Sequence, residues 1–510
     1  MKNLLLGFTV LVLLVSCTSS TKLTTVHSTK NLAYCEIFVS SFYDSDANGS
    51  GDLNGITEKL DYLYSTLGVG GIWLMPIMPS PSYHKYDVVD YYNIDSSYGS
   101  MADFENLVSK AAELKMEIII DLVVNHTSIQ NPWFISARDH LFAGTCDQPE
   151  SYCDYYNFST VPKAGYRVLG NGFYYESLFS ADMPDLNLDT PSVRDEISKI
   201  VKFWLDKGVK GFRLDAVTSY YNGNTTKNVE FLRWLKQTVK TVSPNAYIVG
   251  EAWTDSVTIS DYYKSGIDSF FDFPSAKEDG QIVNNIRYQT GQSFASFTAT
   301  NLARIKTASP ESINAIFLSN HDNARSGAYF SGQIEKQKLM ASVYMLMPGR
   351  SFIYYGEEIG LKGSGVDPNK RLPMIWDIKN NTGMTTAPIG ANYVQKLDLG
   401  VKQQFSDKNS LLNHYRRIIS IKNNYDLITM SDSTLIKLGN PEIYVMRHKN
   451  STEELIVLHN FSDKIIDIDY DFSAYKILEK INNSDTSSKT KLSNGVITIY
   501  PYTSLVLGLK

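Results

Sequence analysis

Gly211-Phe-Arg-Leu-Asp215 is an apolar run that stops abruptly at an acid, with an arginine two positions before it. Along a β-strand, residues i and i+2 share a face, so Arg213 and Asp215 would project together. A guanidinium placed there would hold a carboxylate in its charged form. Three other segments also close apolar runs and add acids and histidines there: Asp121-Leu-Val-Val-Asn125-His126, Gly250-Glu251-Ala-Trp253 and Ser319-Asn320-His321-Asp322. Any one alone reads as a helix cap or turn, where Asp and Asn are common. Four of them, each where a strand would stop, point to parallel strands whose carboxyl ends meet on one face of a (β/α)8 barrel.

The spacing supports that barrel. Glu251 follows Asp215 by 36 residues, near the roughly 30 of one β/α unit, and Asp322 follows Glu251 by 71, near two units. The 94 residues from Asp121 to Asp215 exceed one unit and require an insertion. Ala33-Tyr-Cys-Glu-Ile-Phe-Val39 and Val69-Gly-Gly-Ile-Trp-Leu74 read as the first two strands, and Glu117-Ile-Ile-Ile-Asp-Leu-Val123 as the third. The remaining motifs then fall on the fourth, fifth and seventh strands, with Ser351-Phe-Ile-Tyr-Tyr355 as the eighth.

Composition agrees with a large globular chain. Its 510 residues, 43% hydrophobic and 20% charged, suffice for a barrel with one or two smaller domains. A net charge of −6, without a basic run or a Gly-rich phosphate loop, gives no reason to expect nucleic acid as a partner. The 33 Tyr, 23 Phe and 6 Trp offer flat faces for sugar rings, although most must fill the core.

The N-terminus reads as a targeting segment. Lys2 precedes an apolar run from Leu4 to Val15, short of the roughly 20 residues that cross a bilayer. Leu14-Val15-Ser16-Cys17 resembles a bacterial lipobox, which implies residues 1–17 as a lipoprotein signal and Cys17 as the lipidated mature terminus; an ordinary secretory cleavage site is the plainer reading. Residues 18–32 are Ser/Thr-rich without apolar periodicity and read as a tether. The expected location is the bacterial cell envelope, outside the cytoplasm, held to a membrane by the lipid alone. Export permits disulfides. Cys146 and Cys153 are candidates for a small loop closure, with two unpaired thiols as the alternative, and Cys35 reads as a buried free thiol.

The chain divides accordingly. The barrel takes residues 33–126 and 183–426, and residues 127–182, rich in Tyr, Gly, Asn and Pro, form an irregular insertion. Short alternating segments such as Glu442-Ile-Tyr-Val-Met446 and Val496-Ile-Thr-Ile-Tyr500 make residues 427–510 an all-β C-terminal domain, a β-sandwich.

From about Ala33 onward the chain resembles the α-amylase family of retaining glycoside hydrolases. The four segments match that family's diagnostic regions in order, and Met183-Pro-Asp-Leu-Asn187 matches a fifth. Its wording resembles a group intermediate between oligo-1,6-glucosidases and neopullulanases, and Arg371-Leu-Pro-Met-Ile-Trp-Asp377 is similar to a motif of the oligo-1,6-glucosidases. The resemblance implies an α-glucan substrate, with the long insertion as that family's domain B.

Retaining hydrolysis needs a carboxylate nucleophile and a carboxylic acid across the bond. Asp215, beside Arg213, suits the nucleophile, and Glu251 the acid, kept protonated by the nearby charge of Asp322. By the resemblance, Asp322 also bonds the sugar's hydroxyls, as do His126 and His321, and Tyr86 is the tyrosine beneath the ring. Asp121, Arg213 and Arg371 complete the expected substrate-binding set.

A separate constellation concerns metal. Asp44-Ser-Asp46-Ala-Asn48-Gly-Ser50-Gly-Asp52 sets oxygen side chains at alternate positions around a Gly turn, as in the first half of an EF-hand loop, with Ser50 offering its carbonyl. Gly55 stands where an EF-hand has its twelfth-position Glu, so this is no EF-hand; it resembles the calcium loop of the oligo-1,6-glucosidase branch. Calcium is the expected cofactor, and a metal-free turn the plainer alternative.

Departures refine the expectation. Thr218 and Ser219 replace a Lys and His common after the nucleophile, which leaves a second calcium at Asn125 open. Ala216 resembles enzymes that cut α-1,4 bonds. Tyr83 stands where exo-acting relatives carry an Asp paired with the counterpart of Arg371, which favours an open cleft. The sequence thus points to an endo-acting, monomeric α-amylase-type hydrolase of starch, glycogen or maltodextrins. An α-glucosidase, a transglycosylase or a non-catalytic glucan-binding lipoprotein are the alternatives.

Overall fold

The computed structural model describes residues 33–510, so the signal, Cys17 and the tether lie outside the described residues. Eight parallel strands form the central barrel: β1 (Tyr34–Ile37), β2 (Gly71–Leu74), β3 (Glu117–Leu122), β7 (Gly211–Leu214), β8 (Tyr247–Gly250), β9 (Ser269–Phe270), β10 (Ala315–Phe317) and β11 (Arg350–Tyr354). Between β3 and β7 the chain adds β4 (Phe158–Ser159), β5 (Tyr166–Gly170) and β6 (Phe173–Glu176). Barrel neighbours pair in the order β10-β11-β1-β2-β3-β7-β8-β9, and a lone bridge from Phe271 to Ala315 spans the remaining gap.

Strand alternation sorts the side chains into two cores. Cys35, Ile37, Ile72, Leu74, Ile118 and Ile120 point outward into the large core beneath the helices. Tyr34, Trp73, Ile119, Tyr247, Phe271, Phe317 and Phe352 fill the barrel interior. That interior is largely aromatic: the Tyr34 ring stacks 5.1 Å from Phe352 and 5.6 Å from Tyr247. Gly71 makes room for it, since a Cβ there would lie 2.3 Å from the Tyr34 ring. One step nearer the carboxyl ends, the inward positions of β1, β3 and β7 change from apolar to charged: Glu36, Asp121 and Arg213, all buried. Asp121 lies opposite Arg213 in the parallel register, so the sheet itself delivers the pair.

The outer helices follow their apolar stripes. In Pro191–Asp206 the buried residues are Val193, Ile197, Ile200, Val201 and Trp204, one face at helical spacing, with Pro at the first turn where its missing N–H costs nothing.

The insertion is more regular than its composition suggests. It contains a helix, Pro132–Ala143, and a three-stranded sheet in the order β4-β6-β5. Its Tyr-rich content packs rather than loops: Phe134 meets Tyr156 at 4.9 Å and Tyr175 at 5.2 Å. Cys146 is bonded to Cys153, and Cys35 is a buried free thiol.

At the C-terminal end, a short helix, Asp426–Met430, places Leu427 and Ile428 in the large core before the strands begin. The strands are β12 (Asp432–Leu435), β13 (Ile443–Lys449), β14 (Glu454–Asn460), β15 (Ile466–Asp467), β16 (Tyr475–Ile481), β17 (Lys491–Ser493), β18 (Val496–Ile499) and β19 (Ser504–Leu509). They form a five-stranded sheet, β12-β13-β14-β19-β16, and a three-stranded one, β15-β18-β17. Val445, Ile456 and Leu507 of the first share a core with Ile466, Ile497 and Ile499 of the second, which makes a two-layer β domain. Among the described residues no helix is long and apolar enough to cross a membrane.

Candidate active site

Arg213 organises the site. Its Nη1 lies 2.6 Å from both Asp121 Oδ1 and Asp215 Oδ1, and its Nη2 lies 2.9 Å from Glu251 Oε2. One buried guanidinium therefore gathers acids from the ends of β3, β7 and β8. Asp121 also accepts the indole N–H of Trp73 on β2 at 2.9 Å, and burial pushes its pKa up to about 6 against the pull of Arg213. Asp121 is thus a fixed strut at the floor of the pocket rather than a group open to solvent.

Glu251 lies beside the Asp215 carboxylate. Burial raises its pKa to about 7, Arg213 opposes this, and the charges of Asp215 and Asp322 add to the rise. The backbone N–H of Ala216 donates to Glu251 Oε2 at 2.9 Å, and Ala216 adopts a left-handed φ of 45°. That conformation is costly for a residue with a Cβ. The turn after Asp215 is held there while its amide faces the acid.

The opposite wall carries Asp322. Arg371 Nη2 reaches its Oδ1 at 3.0 Å, and His321 Nε2 reaches its Oδ2 at 3.0 Å. Burial alone would raise the Asp322 pKa, yet the charge of His321, then Arg371 and Arg213, holds it well below the usual range. Tyr86 stacks on His321 with ring centres 5.5 Å apart, and its hydroxyl is 2.8 Å from His321 Nε2. His126 Nε2 is buried without a hydrogen-bond partner, as is Arg213 Nε, while His126 Nδ1 is 3.3 Å from Asn125 Nδ2. An unpartnered ring nitrogen at a cavity wall is a donor waiting for a ligand oxygen.

These groups line one cavity of about 400 Å³, with Asp215, Glu251, Asp322, His126, Tyr86 and Arg371 in its wall. Asp121, Arg213 and His321 stand directly behind that wall. Arg371 Nη1 also bonds the Tyr83 hydroxyl at 2.9 Å, so a phenol takes the place next to the arginine. The sequence reading did not single out His84, Phe179, Trp253 or Asp367, which also line the cavity. Phe179 and Trp253 are large apolar side chains about half exposed beside the acids. Lone aromatics in loops carry no periodicity to mark them; only Trp253, two residues after Glu251, stood within a recognised motif.

The expected metal loop also assembles. Asp44, Asp46 and Asp52 each bring one carboxylate oxygen within 4.8 Å of the others. Oxygens about 2.4 Å from a common cation lie no farther apart than that. Asp44 Oδ2 accepts Gly49 N–H at 2.7 Å, Asn48 Oδ1 accepts Ser50 N–H at 2.8 Å, and Asp52 Oδ1 caps the following helix through Gly55 N–H at 2.7 Å. Three acids this close, with hard oxygen donors and no side-chain cation among them in the described residues, fit a divalent ion. Elsewhere, Asn125 Nδ2 points to Asp185 Oδ1 at 3.3 Å, and burial raises the Asp185 pKa to about 7.

Residues 36–431 match the family described as "Alpha amylase, catalytic domain". "Alpha-amylase 3" of Dictyoglomus thermophilum is 39% identical over 438 residues, covering 85% of each chain. An oligo-1,6-glucosidase of Parageobacillus thermoglucosidasius is 31% identical over 529 residues, covering 85% of this chain and 90% of its own. Among solved structures, Eubacterium rectale Amy13B superposes with a TM-score of 0.89 at 39% identity, over 94% of this chain and 96% of its own. An α-amylase from H. orenii follows at 0.81 and 33%, over 94% of this chain and all of its own.

Proposed function

The chain belongs to the α-amylase catalytic-domain family and is a glycoside hydrolase, and on that premise we propose that it cuts internal α-1,4 bonds of starch, glycogen or maltodextrins with retention. The observation that carries the mechanism is the bridge made by Arg213 between Asp215 and Glu251, which keeps the two carboxyls within the span of one guanidinium. Retaining pairs stand about 5–5.5 Å apart, whereas inverting pairs leave room for a water between them.

An Asp215 oxygen attacks the anomeric carbon as Glu251 passes its proton to the departing glycosidic oxygen. The C–O bond breaks, and the sugar is left as an ester of Asp215. Glu251, now a carboxylate, takes a proton from water, and that water displaces Asp215 from the opposite face. The product keeps the α configuration. A raised Glu251 pKa serves both halves, since the group must give a proton and then receive one near neutral pH. Asp322 and the free Nε2 of His126 are placed to bond the hydroxyls of the sugar being cleaved.

Ala216 after the nucleophile supports the α-1,4 linkage, as do the relatives named α-amylase. Tyr83 supports the endo mode, because at that position Arg371 meets a phenol and not a carboxylate, so the contact is a hydrogen bond and not an ion pair. Chromatography of early products from soluble starch, maltotriose and isomaltose tests both. Mixed short oligosaccharides from starch are expected. Glucose alone would mean an exo-acting α-glucosidase, longer products from maltotriose a transglycosylase, and faster cleavage of isomaltose an α-1,6 enzyme. No turnover would leave a glucan-binding lipoprotein.

Calcium is the ion proposed for the loop, held by Asp44, Asp46, Asn48, Asp52 and the Ser50 carbonyl. It would be structural, since none of these residues lines the catalytic cavity. From the lipobox-like segment we also propose that Cys17 is an anchor to the cell envelope; detergent-phase partitioning tests it. Cys17→Ser should move the protein to the aqueous phase or block its processing, and an aqueous wild type would discard the anchor.

A further inference from the structure

We propose that Glu36, inside the barrel on β1, is a positioning residue that fixes His321 as an imidazolium and thereby sets the orientation of Asp322. The inference rests on reading Asp322 as the third acid of the active site. Glu36 is 2% exposed, and in the described residues its ion-pair partner is His321 alone. Its Oε1 lies 2.5 Å from His321 Nδ1 and also 3.4 Å from the His321 backbone nitrogen. On the far side of the ring, Nε2 lies 3.0 Å from Asp322 Oδ2. Each ring nitrogen therefore faces a carboxylate oxygen.

A neutral imidazole carries one N–H, so either tautomer would turn a lone pair toward one of those two oxygens. Only the doubly protonated ring donates to both. The surroundings agree. The Tyr86 hydroxyl, from the loop after β2, lies 2.8 Å from Nε2 and can donate its own proton to Asp121 Oδ2 at 3.4 Å, which leaves its oxygen open to an N–H from the ring. The edge of Trp73 packs 5.8 Å away, Arg371 bonds the His321 carbonyl at 3.2 Å, and Arg213 lies beyond Tyr86, 3.4 Å from its hydroxyl. Burial alone would neutralise the ring, but Asp322 and Glu36 together hold its pKa up at about 10.

Asp322 thus lies between two fixed cations, His321 on Oδ2 and Arg371 on Oδ1. Without Glu36, the ring would need only one proton to satisfy Asp322. It would then be free to turn, and the contacts to Tyr86 and Asp322 would loosen together. Glu36 touches no substrate-facing surface and acts through the histidine.

The test is a side-chain NMR titration of histidine-labelled protein. His321 is identified among the eight histidines by the signal lost in His321→Asn. In the wild type, His321 should remain an imidazolium throughout the active pH range and lose its proton only near 10. Glu36→Gln keeps the shape and removes the charge; it should lower that pKa by at least about one unit, a shift typical of losing one neighbouring charge. The pH profile of kcat/KM should then gain an ionisation that the wild type lacks, and Glu36→Asp should remove it. A His321 neutral at neutral pH in the wild type overturns the proposal, even if Glu36→Gln does not fold. So does a Glu36→Gln protein whose His321 titration and pH profile match the wild type. The titration reads the ring itself, so it can fail while the α-1,4 assignment stands, and the converse.

Discussion

Two groups of carboxylates follow the ends of barrel strands, and they are neutralised in opposite ways. In and directly behind the cavity wall, Asp215, Glu251, Asp322 and Asp121 face cations built into the chain: Arg213, Arg371 and His321. In the loop after β1, Asp44, Asp46 and Asp52 face backbone amides and no side-chain cation in the described residues. The first group keeps its own counterions because its acids must hold distinct protonation states during chemistry. The second has room and donors for an ion taken from solution. Acid clusters that look alike in sequence therefore divide by whether an Arg or His was placed among them.

The largest expected effect comes from within the first group. Asp215→Asn should lower turnover by at least about 10⁴-fold while leaving maltodextrin binding nearly intact, since the amide keeps the shape but cannot form the ester. Arg213 retains Asp121 and Glu251 as partners, so the fold should survive. Initial rates and calorimetric titration check this together; retention of more than a few per cent of activity would move the nucleophile elsewhere.

Glu251 comes next. With its pKa raised to about 7, the fraction of enzyme holding the required proton falls as pH rises through that value, and kcat/KM should fall with it. Glu251→Gln should cost about 10²–10⁴-fold on starch. It should cost far less on a glycosyl fluoride, whose leaving group needs no proton. A variant equally slow on both would not be missing a general acid.

Removing the cation from each group is the matched comparison. Arg213→Gln leaves buried carboxylates without their counterion and should destabilise the fold by about 3–5 kcal/mol, read by denaturant unfolding. Chelation should do less: an ion present at about 100 times its Kd contributes about 2.7 kcal/mol, and calcium should restore the loss better than magnesium. Asp46→Ala is the cleaner variant of the loop, because Asp52 also caps a helix and its loss would cost stability with or without metal. If Asp46→Ala melts like the wild type in both chelator and calcium, the loop is only a turn.

How much of this was legible in the sequence follows the same division. Acids at or near the ends of apolar runs, Asp121, Asp215, Glu251 and Asp322, mark strand ends, and their spacing together with the two upstream apolar runs, 33–39 and 69–74, orders the barrel strands. The loop was legible because its oxygens are local in sequence. What could not be read depends on side chains meeting across strands. Glu36 is one acid inside an apolar run, and nothing nearby announces His321, 285 positions away. The strand β9 has two residues, too short for any alternation to register. The aromatic filling of the barrel, Tyr34 on Phe352 and Tyr247, was hidden among many other aromatics. Phe179 and Trp253 line the cavity from loops, where no period applies.

The central claim is that Asp215 and Glu251 act as a retaining nucleophile and acid on an α-glucan. Proton NMR of fresh product, recorded before mutarotation, tests it most directly. The α-anomer must come first and then relax toward the equilibrium mixture. β-anomer as the first product would contradict the assignment of Asp215, because inversion needs a water where this carboxylate stands.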